Sequence, residues 1–189
     1  MMKWIPVALA LIVSGCSSTI DTHYYQLPSA STATTASSGG FDASRPAVWV
    51  EHVSVPDYLA GNGVVYQSSD VQYVIAANNL WASPLDQQLQ QTLVANLSEA
   101  LPGWLVSGMP LGDQQQKLNV NVTQFHGRYD GQVVIAGDWV LEHDGKIIKR
   151  PFSLTLPQNE DGYEALVRTL AKGWQQEAGN MAQIIRTNN

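Results

Sequence analysis

Two Asp-Gly pairs divide the stretch Leu118–Leu156, LNVNVTQFHGRYDGQVVIAGDWVLEHDGKIIKRPFSLTL, into three runs in which apolar and polar residues alternate. Alternation of this kind is typical of half-buried strands, and Asp-Gly between strands favours a type I′ hairpin turn. The stretch therefore predicts a three-stranded meander with type I′ turns at Asp130-Gly131 and Asp144-Gly145. The three predicted strands are Leu118–Phe125, Val133–Leu141 and Ile147–Leu156.

Two amphipathic helices are predicted, one before and one after the meander in the sequence. Ser83 can cap the first helix and Pro84 suits its first position, whereas a Pro-Gly pair ends it. One apolar stripe repeats every four residues along this helix and consists of Leu85, Leu89, Leu93, Leu97 and Leu101. The second helix is predicted over Glu160–Thr187. Gly173 and Gly179 allow a bend within it, since each costs about 1 kcal/mol of helix stability relative to alanine.

Shorter apolar runs before the first helix predict further strands. These runs are His23–Pro28, Ala47–Val53, and a hairpin formed by Val64–Gln67 and Val71–Ile75. Ahead of the hairpin, Val55–Gly63 has the Pro, Asp and Gly residues of one helical turn followed by a tight bend. With the meander, these runs give six to eight strands. We therefore predict one α+β (or α/β) domain, in which two long helices cover a mixed, largely antiparallel sheet.

The composition excludes several classes of protein. The chain has 189 residues, of which 44% are apolar and 14% charged, so most of its length is expected to fold. Its net charge of −6 argues against binding to nucleic acid and against loose electrostatic binding to anionic lipid. A single cysteine excludes an intramolecular disulfide and a cysteine-based metal cluster.

The position of that cysteine, Cys16, indicates a lipid anchor. Lys3 and the ten-residue apolar run Trp4–Val13 fit a secretory signal peptide, because a membrane span needs about 20 apolar residues. The run is followed by Val13-Ser14-Gly15-Cys16, which resembles the bacterial lipobox. In a lipobox the thiol receives diacylglycerol, the signal is cut before the cysteine, and the new amine is acylated. The alternatives are a cleaved signal with an incidental cysteine and a buried structural thiol.

This interpretation divides the chain into three parts. Residues 1–15 form the signal peptide, residues 16–22 the lipidated N-terminus and a tether, and residues 23–189 a single periplasmic domain. Within that domain, residues 29–46 are rich in Ser, Thr, Ala and Gly and predict a flexible loop. Ser17 after the cysteine resembles the sorting signal for release to the outer membrane of Gram-negative bacteria. We therefore expect a protein anchored by lipid to the periplasmic face of the outer membrane.

The sequence shows no pattern that supports catalysis or metal binding. No two histidines have the spacing that would place two ligands on one helix face. A nucleophile elbow and a phosphate-binding loop are also missing from the sequence. Glu142-His143-Asp144 borders a predicted turn, where solvated polar residues are expected. We therefore predict no catalytic residue, no metal and no cofactor, apart from the diacylglycerol and N-acyl chain on Cys16.

Aromatic and apolar residues near two predicted loops are candidates for contact with a partner protein. Exposed aromatic residues are enriched at protein interfaces. The candidate residues are Tyr58, Leu59, Asn62, Leu80 and Trp81. The alternative for Leu80 and Trp81 is that they pack into the core at the entrance of the first helix.

Three segments together resemble the ABC-type transport auxiliary lipoprotein family. They are Tyr24–Leu27, Val55–Tyr66, which begins with VPDYLAGNG, and Asn78–Leu89. The resemblance extends over essentially the whole chain, including the lipobox. It implies a non-catalytic role in envelope lipid transport that contributes to envelope integrity. In such a system the lipoprotein meets the far end of a periplasmic MCE-domain tunnel.

Two functions remain open on this basis. The first is a docking adaptor, which could assemble as a homo-oligomeric ring to match a ring-shaped tunnel. The second is a periplasmic lipid carrier with an apolar cavity between the sheet and the helices. A third, an envelope hydrolase, would need a nucleophile–base pair that the sequence does not show.

Overall fold

The computed structural model describes residues 21–29 and 45–188. In these ranges the strands are β1 (His23–Tyr25), β2 (Ala47–Ser54), β3 (Gly63–Gln67), β4 (Tyr73–Trp81), β5 (Leu105–Ser107), β6 (Gln116–Arg128), β7 (Gln132–His143) and β8 (Lys146–Pro157). The helices are α1 (Asp57–Ala60), α2 (Leu85–Ala100) and α3 (Tyr163–Thr187). The predicted signal peptide, Cys16, Ser17 and most of the predicted loop 29–46 lie outside the described residues.

All eight strands belong to one mixed sheet organised around β6. One edge of β6 pairs antiparallel with β7, and β7 pairs antiparallel with β8. The other edge of β6 pairs in parallel with two strands in succession, first with β2 and then with β3. Beyond them, β5 lies parallel to β2, β4 lies antiparallel to β3, and β1 lies parallel to β4. The predicted α+β fold with a mixed, largely antiparallel sheet is confirmed.

The predicted meander is confirmed, but one of its two turns differs from the prediction. Asp144 and Gly145 have φ values of 47° and 73°, as the predicted type I′ turn requires. At the first turn Arg128 pairs with Gln132, which leaves three residues in the loop, and only Gly131 has a positive φ. The type I′ prediction at Asp130-Gly131 is therefore wrong. The Asp130 carboxylate instead accepts hydrogen bonds from the Arg128 guanidinium at 2.7–3.0 Å.

The leucine stripe of α2 forms the centre of the core. Its four leucines within α2 and Leu101, which directly follows the helix, are all buried in the core. Four aromatic rings fill the space around them at centroid separations of 6.3–6.5 Å, namely Trp81, Phe125, Phe152 and Trp174. The Trp174 indole N–H also donates to the Leu89 carbonyl at 3.1 Å, which fixes α3 against α2.

The beginnings of both long helices differ from the prediction. Pro84 is the N-cap of α2, and no side chain caps this end, so the predicted capping role of Ser83 is wrong. Gln88 makes the side-chain hydrogen bonds at this end of the helix instead. Its amide donates to the Ser83 carbonyl and accepts from the Leu27 N–H, both at 2.8 Å. Helix α3 begins at Tyr163, three residues after the predicted start, and is continuous through Gly173 and Gly179.

Glycine at position 137 is required by a close approach of two strands. A Cβ added to Gly137 would overlap the Asn121 carbonyl oxygen of β6 and lie 2.8 Å from the Phe152 ring. A Cβ on Gly179 of α3, by contrast, would meet no atom of the described residues within 4 Å. We predict that Gly137→Ala lowers the free energy of unfolding by about 1–3 kcal/mol through overpacking. Gly179→Ala, the matched control, should raise it by up to about 1 kcal/mol.

Urea unfolding followed by tryptophan fluorescence measures both changes in the free energy of unfolding. Equal effects of the two substitutions would contradict the close approach at Gly137.

Candidate interaction site

The segment between β2 and β3 spans a gap along one edge of β6. Strand β2 pairs with β6 as far as Asn121, and β3 begins to pair with it at Gly127. Within the intervening segment, the Pro56 carbonyl accepts hydrogen bonds from the N–H groups of Leu59 and Ala60 at 2.9 and 3.1 Å. The predicted single helical turn is thus confirmed as α1.

Tyr58 of α1 connects this segment to a β-bulge in β6. The pairing of β6 with β7 shifts between Val122 and Gln124, so Thr123 has no partner residue in that ladder. The Tyr58 hydroxyl donates to the Thr123 carbonyl at 2.8 Å. In a regular strand, Val122 and Phe125 would lie on opposite faces, because they are three residues apart. The bulge places both of them in the core, on the face toward the helices. His126 therefore lies on the opposite face of the sheet.

His126 forms an aromatic cluster with Tyr58 and Tyr73. The ring centroids of His126 and Tyr73 are 5.1 Å apart in an edge-on arrangement, and those of Tyr58 and Tyr73 are also 5.1 Å apart. His126 is completely buried although it faces away from the helices. We call these three residues the aromatic cluster.

Burial in the aromatic cluster favours the neutral forms of His126 and Tyr58. His126 Nδ1 lies 3.0 Å from the Gly127 carbonyl, so in the neutral ring Nδ1 holds the proton and donates it. Among residues 21–29 and 45–188, His126 Nε2 has no hydrogen-bond partner. Burial lowers the pKa of His126, the hydrogen bond to Gly127 opposes this effect, and the charge of Arg128 adds to it. Burial also raises the pKa of Tyr58 to about 12.

The β3–β4 hairpin extends beyond the aromatic cluster and exposes apolar side chains. Val71 is 84% exposed, and Tyr73, Val74 and Ile75 are also exposed. We call Val71–Ile75 the hairpin tip. The sequence predicted a strand over Val71–Ile75, whereas β4 begins at Tyr73 and continues to Trp81. Its outer edge pairs with β1 only from Asn79 onward.

The five candidate contact residues lie in one region but differ in exposure. Leu59 and Trp81 are only 1% and 4% exposed, so the structure places both in the core rather than on the surface. For Trp81 this is the alternative that the sequence analysis left open. Asn62 is exposed, and its carbonyl accepts a hydrogen bond from the Trp81 N–H at 2.6 Å. Tyr58 and Leu80 are half-buried.

His126 and Tyr73 of the aromatic cluster were not predicted from the sequence. One feature of the sequence near Tyr73 was detectable. The run Val71–Ile75 has apolar residues on both faces of the predicted strand, although only one face of such a strand packs against the core. His126 had no such signal. Its burial depends on the gap between β2 and β3 and on the bulge at Thr123, which are long-range features of the sheet.

The described ranges contain neither a metal site nor a membrane-spanning helix. In residues 21–29 and 45–188, no group of three or more His, Cys, Asp or Glu side chains could hold a metal ion. Within the same ranges, no helix is both long and apolar enough to span a bilayer. His143 and Asp144 lie at the β7–β8 turn, as predicted.

The surface has pockets of modest volume. One of them, with a mostly apolar lining, has a volume of about 320 Å³ and is lined by Tyr66, Arg128, Gly131, Gln158, Asp161, Gly162, Tyr163 and Leu166. A larger pocket of about 550 Å³, beside the β7–β8 turn, is lined mostly by polar surface. Sites for drug-sized ligands measure about 300–1,000 Å³. The apolar pocket is at the lower end of that range, and a phospholipid with two acyl chains is larger than a drug-sized ligand.

Comparison with known proteins assigns the chain to a family. The family model of the ABC-type transport auxiliary lipoprotein component matches residues 25–182. The chain belongs to this family. It is 58% identical over 189 residues to the intermembrane transport lipoprotein PqiC of Escherichia coli (strain K12), with 98% of each chain covered. The PqiC of Shigella flexneri matches with the same identity and coverage.

Solved structures share the fold. A crystal structure of an uncharacterized protein with 60% sequence identity matches with a TM-score of 0.79, over 87% of this chain and 99% of that chain. The protein XCC0632 from Xanthomonas campestris matches with a TM-score of 0.68 at 16% identity, over 87% and 96% of the two chains. The second likeness shows the fold alone. The predicted family is confirmed, and its description is that of a transport component rather than an enzyme.

The burial of His126 predicts a pH dependence of stability. Because its pKa is lowered in the folded protein, the unfolded chain takes up a proton that the folded chain excludes once the pH falls below about 6.5. The free energy of unfolding should therefore fall as the pH decreases from 6.5 toward the folded-state pKa. His126→Phe should remove this part of the decrease while keeping an aromatic ring next to Tyr73.

Chemical unfolding at several pH values between about 5 and 8 measures this dependence. His52→Gln is the control, because His52 is exposed and the change leaves His126 in place. If His126→Phe and wild type kept parallel pH profiles, the excluded proton would have to belong to another group.

Proposed function

We propose that this chain is an outer-membrane-anchored, non-catalytic docking component of an MCE-type intermembrane lipid transport system. The observation that carries the proposal is its end-to-end similarity to an intermembrane transport lipoprotein, at 58% identity over 98% of both chains. In this role the protein would hold the far end of a periplasmic MCE-domain tunnel (PqiB-like) at the outer membrane. It would thereby contribute to envelope integrity.

The anchor in this proposal is Cys16, with Ser17 as the sorting residue. Residues 1–15 would be removed as a signal peptide, and residues 16–22 would tether the domain that begins at residue 23. Each buried methylene contributes about 0.8 kcal/mol to membrane binding, and one acyl chain alone gives only marginal attachment. A diacylglycerol and an N-acyl chain together would make attachment effectively permanent.

The packing of the interior supports docking over lipid carriage. The space between sheet and helices is filled by the leucines of α2 and by four aromatic rings. The most apolar of the pockets described above measures only about 320 Å³ and lies at one end of the sheet. A docking role needs an exposed surface instead, and Tyr58, Asn62 and Leu80 supply candidate contacts. A homo-oligomeric ring of such domains would match a ring-shaped tunnel. Light scattering of the protein with its partner present measures the oligomeric state, and the presence of monomers alone would contradict the ring.

The anchor predicts a change in localisation for Cys16→Ala. Without the thiol no thioether can form, so the variant should lose its outer-membrane localisation. Separation of outer membrane, inner membrane and soluble fractions, followed by immunoblotting, measures the distribution. Ser18→Ala is the control and should remain in the outer membrane. Normal recovery of Cys16→Ala in the outer membrane would contradict the lipid anchor.

The docking surface predicts a site-specific crosslink. The Asn62 side chain is exposed and only its backbone has a described hydrogen bond, so a photo-crosslinking amino acid there should leave the fold intact. We expect illumination of cells to link this position to an MCE-domain protein, identified by mass spectrometry. The same amino acid at Gln176, on the exposed face of α3, is the control. Equal crosslinking at both positions would contradict a docking surface around Asn62.

A further inference from the structure

We infer that the hairpin tip contacts the headgroup region of the same membrane leaflet that holds the acyl chains on Cys16. This inference rests on the proposed lipid anchor. It goes beyond the anchor because it assigns a second membrane contact to the folded domain, and with it an orientation of the domain on the membrane.

The hairpin tip belongs to an end of the molecule where exposed apolar side chains collect. Gln67 of β3 pairs with Arg128 of β6, so the turns that follow these two strands lie next to each other at the same end of the sheet. One turn leads into the hairpin tip, and the other contains the exposed Tyr129. We call this the tip end. Its exposed large apolar residues are Val71, Tyr73, Val74, Ile75 and Tyr129.

The direction of β1 leads the tether toward the tip end. Strand β4 runs away from the hairpin tip, and β1 is parallel to it, with His23 opposite Asn79. The chain that precedes His23 therefore enters the sheet from the side of the hairpin tip. The acyl anchor proposed on Cys16 lies upstream of that point of entry.

The tether, residues 16–22, is long enough for the lipid anchor on Cys16 to lie at the same height as the hairpin tip. Leu80 pairs with Tyr24 of β1 on one side and with Gly63 of β3 on the other, whereas Tyr73 pairs with Gln67 of β3. The distance from β1 to Tyr73 along the sheet is therefore four residues of β3, or about 13 Å. Residues 16–22 span at most about 23 Å when extended. Cys16 can therefore reach the level of Tyr73 with about 10 Å to spare, and the domain cannot move far from the membrane.

The chemistry of the tip end fits the lipid headgroup region. Val71–Ile75 contains no charged residue, and the nearby Arg128 and Asp130 neutralise each other in an ion pair at 2.7 Å. Two tyrosines, Tyr73 and Tyr129, offer rings with polar ends, which is the type of side chain found at membrane–water interfaces. The hairpin tip itself can bury apolar surface among headgroups without placing a charge there. The exposed carboxylates of Asp70, directly before the tip, and of Asp161, in the loop after β8 at the same end, favour a shallow contact in which both stay in water.

Two further features limit the depth and the strength of this contact. In the described ranges the outer edge of β4 has no strand partner between Tyr73 and Asn78, and unpaired backbone groups are costly in hydrocarbon. The contact is therefore with the headgroup region and not with the bilayer centre. A net charge of −6 gives no attraction to anionic lipid, so the contact forms once acyl chains hold the domain close.

A unique fluorescent label on the acylated full-length protein tests this inference. Cys16 is the only cysteine and its thiol is consumed by acylation, so Val74→Cys or Val71→Cys provides one reactive site. The control is Ile147→Cys, at the opposite end of the sheet beside the β7–β8 turn, where Ile147 is 69% exposed. Each labelled protein is reconstituted into phosphatidylethanolamine–phosphatidylglycerol vesicles and isolated by flotation. Some vesicles contain lipids with a nitroxide near the headgroup, and others contain lipids with a nitroxide deep in the acyl chain.

We expect a blue shift of emission and a loss of intensity for the labels at positions 71 and 74, with stronger quenching by the shallow nitroxide. The label at position 147 should show neither effect. In floated vesicles, a label at 74 that is blue-shifted but not quenched would mean that a second copy or another protein strand covers the tip, which overturns the inference. Equal quenching at 74 and 147 would also overturn it. Failure of the unlabelled chain to float would remove the lipid anchor itself and this inference with it.

Discussion

The structure depends on β6 pairing along both of its edges, with a bulge at Thr123 in the middle. On one edge β7 continues the antiparallel meander, and on the other β2 and β3 follow one another in parallel. The bulge keeps Val122 and Phe125 on the core face and turns His126 to the other face. Since β2 stops before β3 starts, the chain must span the gap, and α1 with Tyr58 does so. The candidate site is a direct consequence of this arrangement.

Features that depend on neighbouring residues were predictable from the sequence. The three strands of the meander follow from alternation, and the Leu85–Leu101 stripe follows from a four-residue repeat. Two details that were missed involve contacts distant in sequence, whereas the failed type I′ turn at Asp130-Gly131 is a local feature. At the start of α2, where the sequence predicted a Ser83 cap, Gln88 binds the Ser83 carbonyl and the distant Leu27 N–H. The short strand β5 was not predicted, because its three residues are a strand only through pairing with β2.

The candidate site was also predictable only in part. Its location was predictable, because the VPDYLAGNG segment and the residues before α2 do lie together, joined by the hydrogen bond from the Trp81 N–H to the Asn62 carbonyl. Its surface was not predictable. Leu59 and Trp81 are buried, whereas Val71, Val74 and Ile75 of the hairpin tip, which the sequence predicted only as a strand, are exposed. Exposure depends on how far β4 extends beyond β1, and the sequence has no local signal for that length.

The proposed account gives the domain two functional surfaces, a lipid-anchored end and a docking surface around Asn62. Its central claim is that the chain holds a protein partner at the membrane and does not carry lipid itself. Affinity purification of the tagged wild-type chain from detergent-solubilised envelopes, with mass spectrometry of both protein and lipid, tests this most directly. The account predicts recovery of an MCE-domain protein without stoichiometric phospholipid bound to the domain. Recovery of stoichiometric phospholipid without any MCE-domain protein would contradict it and favour a carrier.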